Sequence, residues 1–165
     1  MSEEKIDFSV VKFLVVDGNP LMLEMICDIL QMLGAITVMR AKTYDHAYRL
    51  LKSVGVDVLI TERSLTDQSG LKLLEFIRSD PSSMNRMLPV IMLTADSDVE
   101  YVIEARDLGV TEFLAKPFTV DSFYRRLSAV IAKPRAFIST ETYFGPDRRR
   151  RQLPYQGPER RQIVF

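Results

Sequence analysis

The sequence has few of the residues that support redox or metal chemistry. It holds one cysteine, Cys27, and one histidine, His46, in 165 residues. A single cysteine excludes an intramolecular disulfide, and no zinc-type ligand spacing is present. Cys27 falls in an apolar helical pattern, where a free cysteine is usually buried, and His46 lies on the face of a predicted helix without an assigned role. We therefore predict no metal centre.

Long apolar runs are also missing. No stretch is long enough to cross a bilayer, and the first residues, MSEEKIDFSVV, lack the layout of a signal peptide. The length suits one domain with a sizeable core plus an extension. We expect a cytoplasmic protein that is not an enzyme.

Lysine disappears from the last part of the chain. None follows Lys133, although residues 135–165 hold seven arginines. The formal net charge of zero therefore hides an asymmetry, with a balance of −4 over residues 1–134 and +4 over residues 135–165. The planar arginine side chain binds phosphate and guanine edges with two hydrogen bonds and stacks on flat rings. Arginine without lysine favours shape-specific recognition over attraction by bulk charge.

These arginines belong to a short repeat. Gly145-Pro146-Asp147-Arg148-Arg149 recurs as Gly157-Pro158-Glu159-Arg160-Arg161, with Phe144 ahead of the first copy and Tyr155 ahead of the second. The carboxylate in each copy is an acceptor suited to the N–H donors of guanine. We predict a site for a small anionic guanine ligand made by Asp147, Arg148, Arg149, Arg150, Arg151, Tyr155, Glu159, Arg160 and Arg161.

Residues 10–133 alternate between apolar strand-like runs and helical patterns. The first run, Lys12–Val16, is followed by Asn19, which can cap a helix that has Pro20 at its first position. Five such units predict an α/β fold with a parallel sheet covered on both faces. Ligand chemistry in these sheets lies at the carboxyl ends of the strands, which here present Asp17, Glu62, Thr94 and Lys116.

This arrangement resembles the receiver domain of two-component response regulators, of which the chemotaxis regulator CheY is the nearest stand-alone form. The resemblance implies a flavodoxin-like, five-stranded receiver over residues 10–133, an N-terminal extension over 1–9 and an arginine-rich tail over 134–165. The matching signals are VVDGNP at the first strand end, the segment from Asp57 to Gly70, Thr94-Ala95, Phe113 at the family's aromatic switch position, and Lys116-Pro117.

The sequence departs from that family at its phosphorylation site. Family members bind Mg²⁺ through two acidic residues after the first strand and an aspartate after the third, and this aspartate accepts the phosphoryl group. Here Gly18 replaces one acid and Glu62 replaces the acceptor. Because Mg²⁺ needs near-octahedral oxygen ligands and phosphoryl transfer depends on positioning and metal, we predict neither Mg²⁺ binding nor phosphotransfer.

Two interpretations of Glu62 remain open. Its carboxylate either mimics the phosphorylated state by reaching towards Thr94 and Lys116, or belongs to a decayed site where a Glu62–Lys116 ion pair is tolerated.

A receiver with an extension of this kind is similar to the CheY-like cyclic-di-GMP effectors, the Cle group. The resemblance implies that the tail binds cyclic di-GMP and that the protein acts on the flagellar motor switch, which would place it at the motor base and alter motility and surface attachment. From Thr142 onward the chain has too little apolar surface to offset the entropy of ordering, so we expect a largely disordered tail that folds on its ligand. We expect a monomer in the absence of ligand.

Two alternatives to this ligand-sensing adaptor stay open. One is a conventional phosphorylated receiver, which Gly18 and Glu62 disfavour. The other is a protein that binds nucleic acid or an anionic membrane surface through a generic basic run. The repeat, the exclusion of lysine and the acid in each copy disfavour this second alternative.

Overall fold

The predicted five-stranded parallel sheet is confirmed. The structure is a computed structural model that describes residues 5–95, 99–149 and 157–164. The strands lie in the order β2-β1-β3-β4-β5. Their bounds are β1 (Lys12–Val16), β2 (Thr37–Ala41), β3 (Val58–Glu62), β4 (Val90–Thr94) and β5 (Glu112–Ala115). The helices are α1 (Pro20–Met32), α2 (Tyr44–Ser53), α3 (Gly70–Ser79), α4 (Val99–Asp107) and α5 (Val120–Ala132).

The helices begin at local capping residues. The Asn19 side chain accepts hydrogen bonds from the backbone N–H groups of Leu21 and Met22 at the start of α1. Thr119 and Ser122 form a reciprocal capping box at the start of α5. These contacts satisfy helix N–H groups that otherwise lack partners. Each of these helices therefore begins at a fixed residue after the strand that precedes it.

The core lies in two layers, one on each face of the sheet. Buried residues of α2, α3 and α4 pack on one face, and those of α1 and α5 pack on the other. Cys27 is fully buried in the second layer, and this burial raises the pKa of its thiol to about 11. The thiol therefore stays protonated, as expected for a core cysteine. Phe8, within the predicted N-terminal extension, is buried as well and contacts Phe13 and Tyr124.

The residues after 134 form a second sheet. Its strands are β6 (Phe137–Ser139), β7 (Phe144–Pro146) and β8 (Gln162–Val164), and β6 lies in the middle with an antiparallel partner on each side. Burial raises the pKa of the Tyr143 phenol, which donates a hydrogen bond of 2.7 Å to the Pro146 carbonyl. We call residues 134–164 the extension.

From Thr142 onward the sequence predicts a largely disordered tail, whereas the described residues 142–149 and 157–164 include the strands β7 and β8. The expectation counted only the apolar surface of the extension itself. The structure shows that the extension also uses surface of the parallel-sheet domain, so its ordering entropy is offset by contacts that its own composition does not reveal.

A buried arginine joins the extension to the domain. Arg78 of α3 is 1% exposed and donates hydrogen bonds to the carbonyls of Gly109 (2.9 Å), Arg86 (2.8 Å) and Leu88 (2.7 Å). Its guanidinium carbon also lies 5.0 Å from the centre of the Phe137 ring. Burial lowers the pKa of Arg78 to about 9, so the side chain is still charged at neutral pH. It fixes the two loops that precede β4 and β5 and supports β6 above them.

Two glycines allow the sheets to approach closely. Gly109, between α4 and β5, has a φ of +94°, and a Cβ added there would lie 2.9 Å from the Phe144 carbonyl oxygen. A Cβ on Gly145 would lie equally close, 2.9 Å, to the Gly109 Cα. The guanidinium of Arg86 stacks on the Phe144 ring at 3.9 Å. The extension therefore sits at the amino-terminal edge of the parallel sheet, opposite the strand ends where the sequence predicts the degenerate phosphorylation site.

No helix in the described part of the chain is long and apolar enough to span a bilayer.

Candidate functional site

At the carboxyl edge of the parallel sheet, a lysine lies between two carboxylates. The Lys116 ammonium contacts the Glu62 carboxylate and lies 3.4 Å from Asp17 Oδ2. The other carboxylate oxygens accept backbone hydrogen bonds, Asp17 Oδ1 from the N–H of Asn19 at 2.8 Å and Glu62 Oε1 from the N–H of Arg63 at 2.7 Å. All three charged side chains are at most 16% exposed. Donors within the chain therefore stabilise both acids.

The predicted switch aromatic connects this edge to α4. Phe113 is half-buried and meets the ring of Tyr101 edge-on, with centroids 6.3 Å apart. The guanidinium of Arg63 lies 4.1 Å from the centre of the same tyrosine ring. Thr94 ends β4 and is buried. Nothing in the sequence pattern indicated the Arg63–Tyr101 contact, since α4 begins far along the chain from β3.

The residues at this edge do not fit Mg²⁺. Gly18 supplies no carboxylate, and the Lys116 ammonium lies between the two acids that are present. Among the described residues, no group of three or more potential ligands is placed to hold a metal ion. We derive no phosphoryl-transfer step from this geometry. The Glu62–Lys116 contact agrees with both interpretations of Glu62.

Restoring an acid at position 18 and an aspartate at position 62 is expected to restore phosphorylation. With Mg²⁺ and acetyl phosphate, the wild-type protein should stay unphosphorylated, and so should the single variants Glu62→Asp and Gly18→Asp, because each lacks at least one correctly placed carboxylate. The double variant should become phosphorylated. The side chain added by Gly18→Asp fits if the Thr66 methyl, 3.2 Å from the added Cβ, moves by a few tenths of an ångström. Phosphate-affinity electrophoresis measures the phosphorylated fraction, and a phosphorylated wild-type protein would contradict the prediction.

At the opposite edge, both copies of the repeat line one open cavity of about 460 Å³. The cavity, which we call the arginine cavity, lies between residues 147–149 and 158–161 and includes Ile138 of β6. The two copies meet because β7 and β8 pair with opposite sides of β6. Its volume is within the range of small-molecule sites in proteins. The fold thus brings the two copies of the repeat to one cavity.

The sequence repeat is also a structural repeat. Asp147 Oδ1 accepts a hydrogen bond from the backbone N–H of Arg149 at 3.0 Å, and Glu159 Oε1 accepts one from the N–H of Arg161 at 3.1 Å. The Arg161 side chain joins the two copies, since it pairs with Glu159 through two nitrogens and its Nη1 lies 3.6 Å from Asp147 Oδ2. The two carboxylates therefore orient the arginines around the cavity.

The remaining arginines have different surroundings. Arg148 turns towards the parallel-sheet domain and pairs with Asp107 at 2.7 Å. Arg149 Nε lies 3.6 Å from Asp147 Oδ1. Arg160 is exposed at the cavity, and the described residues give it no ion-pair partner. Three predicted ligand residues, Arg150, Arg151 and Tyr155, lie outside the described residues, and their role stays a prediction.

Comparison with known proteins gives a consistent match over the parallel-sheet domain. The family model for the response regulator receiver domain matches residues 13–128. The chain is 30% identical over 123 residues to chemotaxis protein CheY-3 of Vibrio cholerae, covering 74% of this chain and 93% of that protein. It is 29% identical over 123 residues to chemotaxis protein CheY of Pseudomonas aeruginosa, covering 74% and 98%.

Solved structures give the same picture. The chemotaxis response regulator CheY4 of Vibrio cholerae superposes with a TM-score of 0.67 at 25% identity, covering 73% of this chain and 98% of that one. The family model ends at residue 128, so the extension and its arginine cavity lie beyond the matched region.

Proposed function

This chain belongs to the response regulator receiver domain family, and on that premise we propose that it is a signalling adaptor whose input is cyclic di-GMP rather than phosphate. In this proposal the ligand binds in the arginine cavity, and the receiver domain then engages a flagellar motor switch protein to change motility and surface attachment. The protein acts in the cytoplasm, at the motor base.

The observation that carries the proposal is that both copies of the repeat line one cavity. Cyclic di-GMP contains two guanines and two phosphates, so a site with two similar halves matches its symmetry. Each guanine offers O6 and N7 to an arginine, and its N–H groups match the carboxylates of Asp147 and Glu159. Arginine planes can stack on the bases, a contact that contributes about 1–3 kcal/mol per base.

The carboxyl edge supports an input other than phosphate. Lys116 already contacts both Glu62 and Asp17 and lies between them, and the missing acid at Gly18 leaves the metal ligand set incomplete. The receiver surface remains as the output, because the matched relatives are chemotaxis proteins that consist almost entirely of this domain. The motor switch as partner follows from the resemblance of a receiver with this extension to the Cle group.

Calorimetric titration of the full chain tests the proposal. Cyclic di-GMP should bind with saturable heat, whereas GTP and a DNA duplex should bind at least about tenfold more weakly, because neither presents two guanines and two phosphates in one compact ring. Equal binding of the DNA duplex, with an affinity that falls steeply as salt is added, would instead indicate a nucleic-acid protein. Absence of heat with cyclic di-GMP would overturn the proposal.

A further inference from the structure

We propose that Asp107, on the receiver domain, competes internally with the ligand for Arg148 and thereby lowers the affinity of the arginine cavity. This inference rests on the proposed function, since it concerns the same ligand. It adds a residue outside the extension to those that set the affinity, and it connects the cavity to the end of α4.

Arg148 is positioned to contact either Asp107 or a ligand in the arginine cavity. Residue 148 lines the cavity, and its Nη1 lies 2.7 Å from Asp107 Oδ1 on the receiver domain. The guanidinium also lies 4.4 Å from the centre of the Tyr143 ring, and that ring is buried and fixed by the hydrogen bond to Pro146. Arg148 therefore rests on a rigid aromatic surface with a carboxylate at one end, and one anion can replace another there.

The Asp107 contact is of a strength that a ligand phosphate can overcome. The side chains of Arg148 and Asp107 are 42% and 53% exposed, and exposed ion pairs of this kind are weak. Asp107 retains a second cation when Arg148 leaves, because Arg106 Nε lies 3.8 Å from the same oxygen. A phosphodiester of the ligand has one negative charge and two non-bridging oxygens, so it can accept the same charge-assisted hydrogen bonds from Arg148 as the Asp107 carboxylate does. Exchange of Asp107 for phosphate thus reduces the net affinity without preventing binding.

The exchange has a consequence for α4, of which Asp107 is the last residue. A negative charge at a helix carboxyl terminus is unfavourable, because it lies near the negative end of the helix dipole. Arg148 and Arg106 offset that charge in the structure. Removal of Arg148 by the ligand should therefore loosen the last turn of α4, and by reciprocity anything that stabilises that turn should disfavour the ligand.

Substitution of Asp107 tests the proposal by calorimetry on the full chain with cyclic di-GMP. Asp107→Asn should tighten binding about two- to fivefold, the range expected from loss of a half-exposed ion pair. Arg148→Ala should weaken binding, and adding Asp107→Asn to Arg148→Ala should give no further change. The matched control is Asp121→Asn on α5, which removes an exposed carboxylate that pairs with Arg125 at 3.0 Å and should leave affinity unchanged.

Hydrogen exchange supplies a second readout. Saturating cyclic di-GMP should speed amide exchange in the last turn of α4 in the wild-type protein and not in Arg148→Ala. If wild-type protein binds the ligand but Asp107→Asn binds no tighter than Asp121→Asn, the competition is wrong while the proposed function stands. If wild-type protein does not bind cyclic di-GMP, the proposed function and this inference are both overturned.

Discussion

Replacing both Arg149 and Arg160 by lysine is expected to lower the affinity for cyclic di-GMP at least about thirtyfold, because each arginine–guanine pair contributes roughly 1–3 kcal/mol. Both residues lie at the arginine cavity, and within the described part of the chain neither has an ion-pair partner on the receiver domain. Lysine keeps the charge but has a single ammonium in place of the planar fork. Titration calorimetry measures the change, and circular dichroism verifies that the double variant is folded.

The matched control changes two arginines that are equally charged but do not line the cavity. Arg49 and Arg125 each pair with an aspartate four residues earlier on an exposed helix face, and their replacement by lysine should leave the affinity unchanged. Should the Arg149→Lys/Arg160→Lys variant bind as tightly as the wild-type protein, the cavity would recognise charge alone. The ligand would then be a generic polyanion.

Arg78→Met is expected to lower the free energy of unfolding by about 2–4 kcal/mol, because it leaves three carbonyl groups without their arginine donor, two of them in buried hydrogen bonds. These are the carbonyls of Gly109, Arg86 and Leu88, all bonded at 2.7–2.9 Å. Removing a buried charge is favourable in itself, and this gain limits the loss. Urea unfolding measures the difference.

The same variant should weaken the attachment of the extension, since Arg78 also lies over the Phe137 ring. Limited proteolysis should then cleave after residue 134 at a protease concentration that leaves the wild-type extension intact. Arg126→Met is the control, because Arg126 is 44% exposed and makes a single ion pair with Glu112, worth about 1 kcal/mol or less. Wild-type stability of Arg78→Met would show that other contacts hold the two loops.

The parallel sheet and its carboxyl edge were predictable because their signals are local. Strands such as Lys12–Val16 are continuous apolar runs, and the cap at Asn19 is read from adjacent residues. The proximity of Glu62 to Lys116 follows from the rule that parallel strands present their carboxyl ends at one edge. The aromatic connection from Arg63 to Tyr101 was not predictable, as side-chain stacking between distant elements leaves no periodic signal.

The extension shows where composition fails as a guide. Its strands have three residues each, too short to produce an alternating pattern, and their support comes from Arg78 and Gly109, which lie far away in the sequence. The sequence predicts the residues of the repeat only as ligand contacts. The structure shows that Asp147 and Glu159 also accept hydrogen bonds from the arginines that follow them, so the acids have a structural role besides the proposed contacts with guanine.

The close approach of Gly109 to Gly145 has a consequence for protein engineering. The extension cannot be appended to any receiver as an independent module. The surface of the receiver domain that it packs against includes a glycine with a left-handed backbone, Gly109, and a buried arginine, Arg78. A chimera that transplants residues 134–165 onto another receiver must carry Arg78, Arg86 and Gly109 with it. Without those three residues we expect the grafted segment not to fold against its new host.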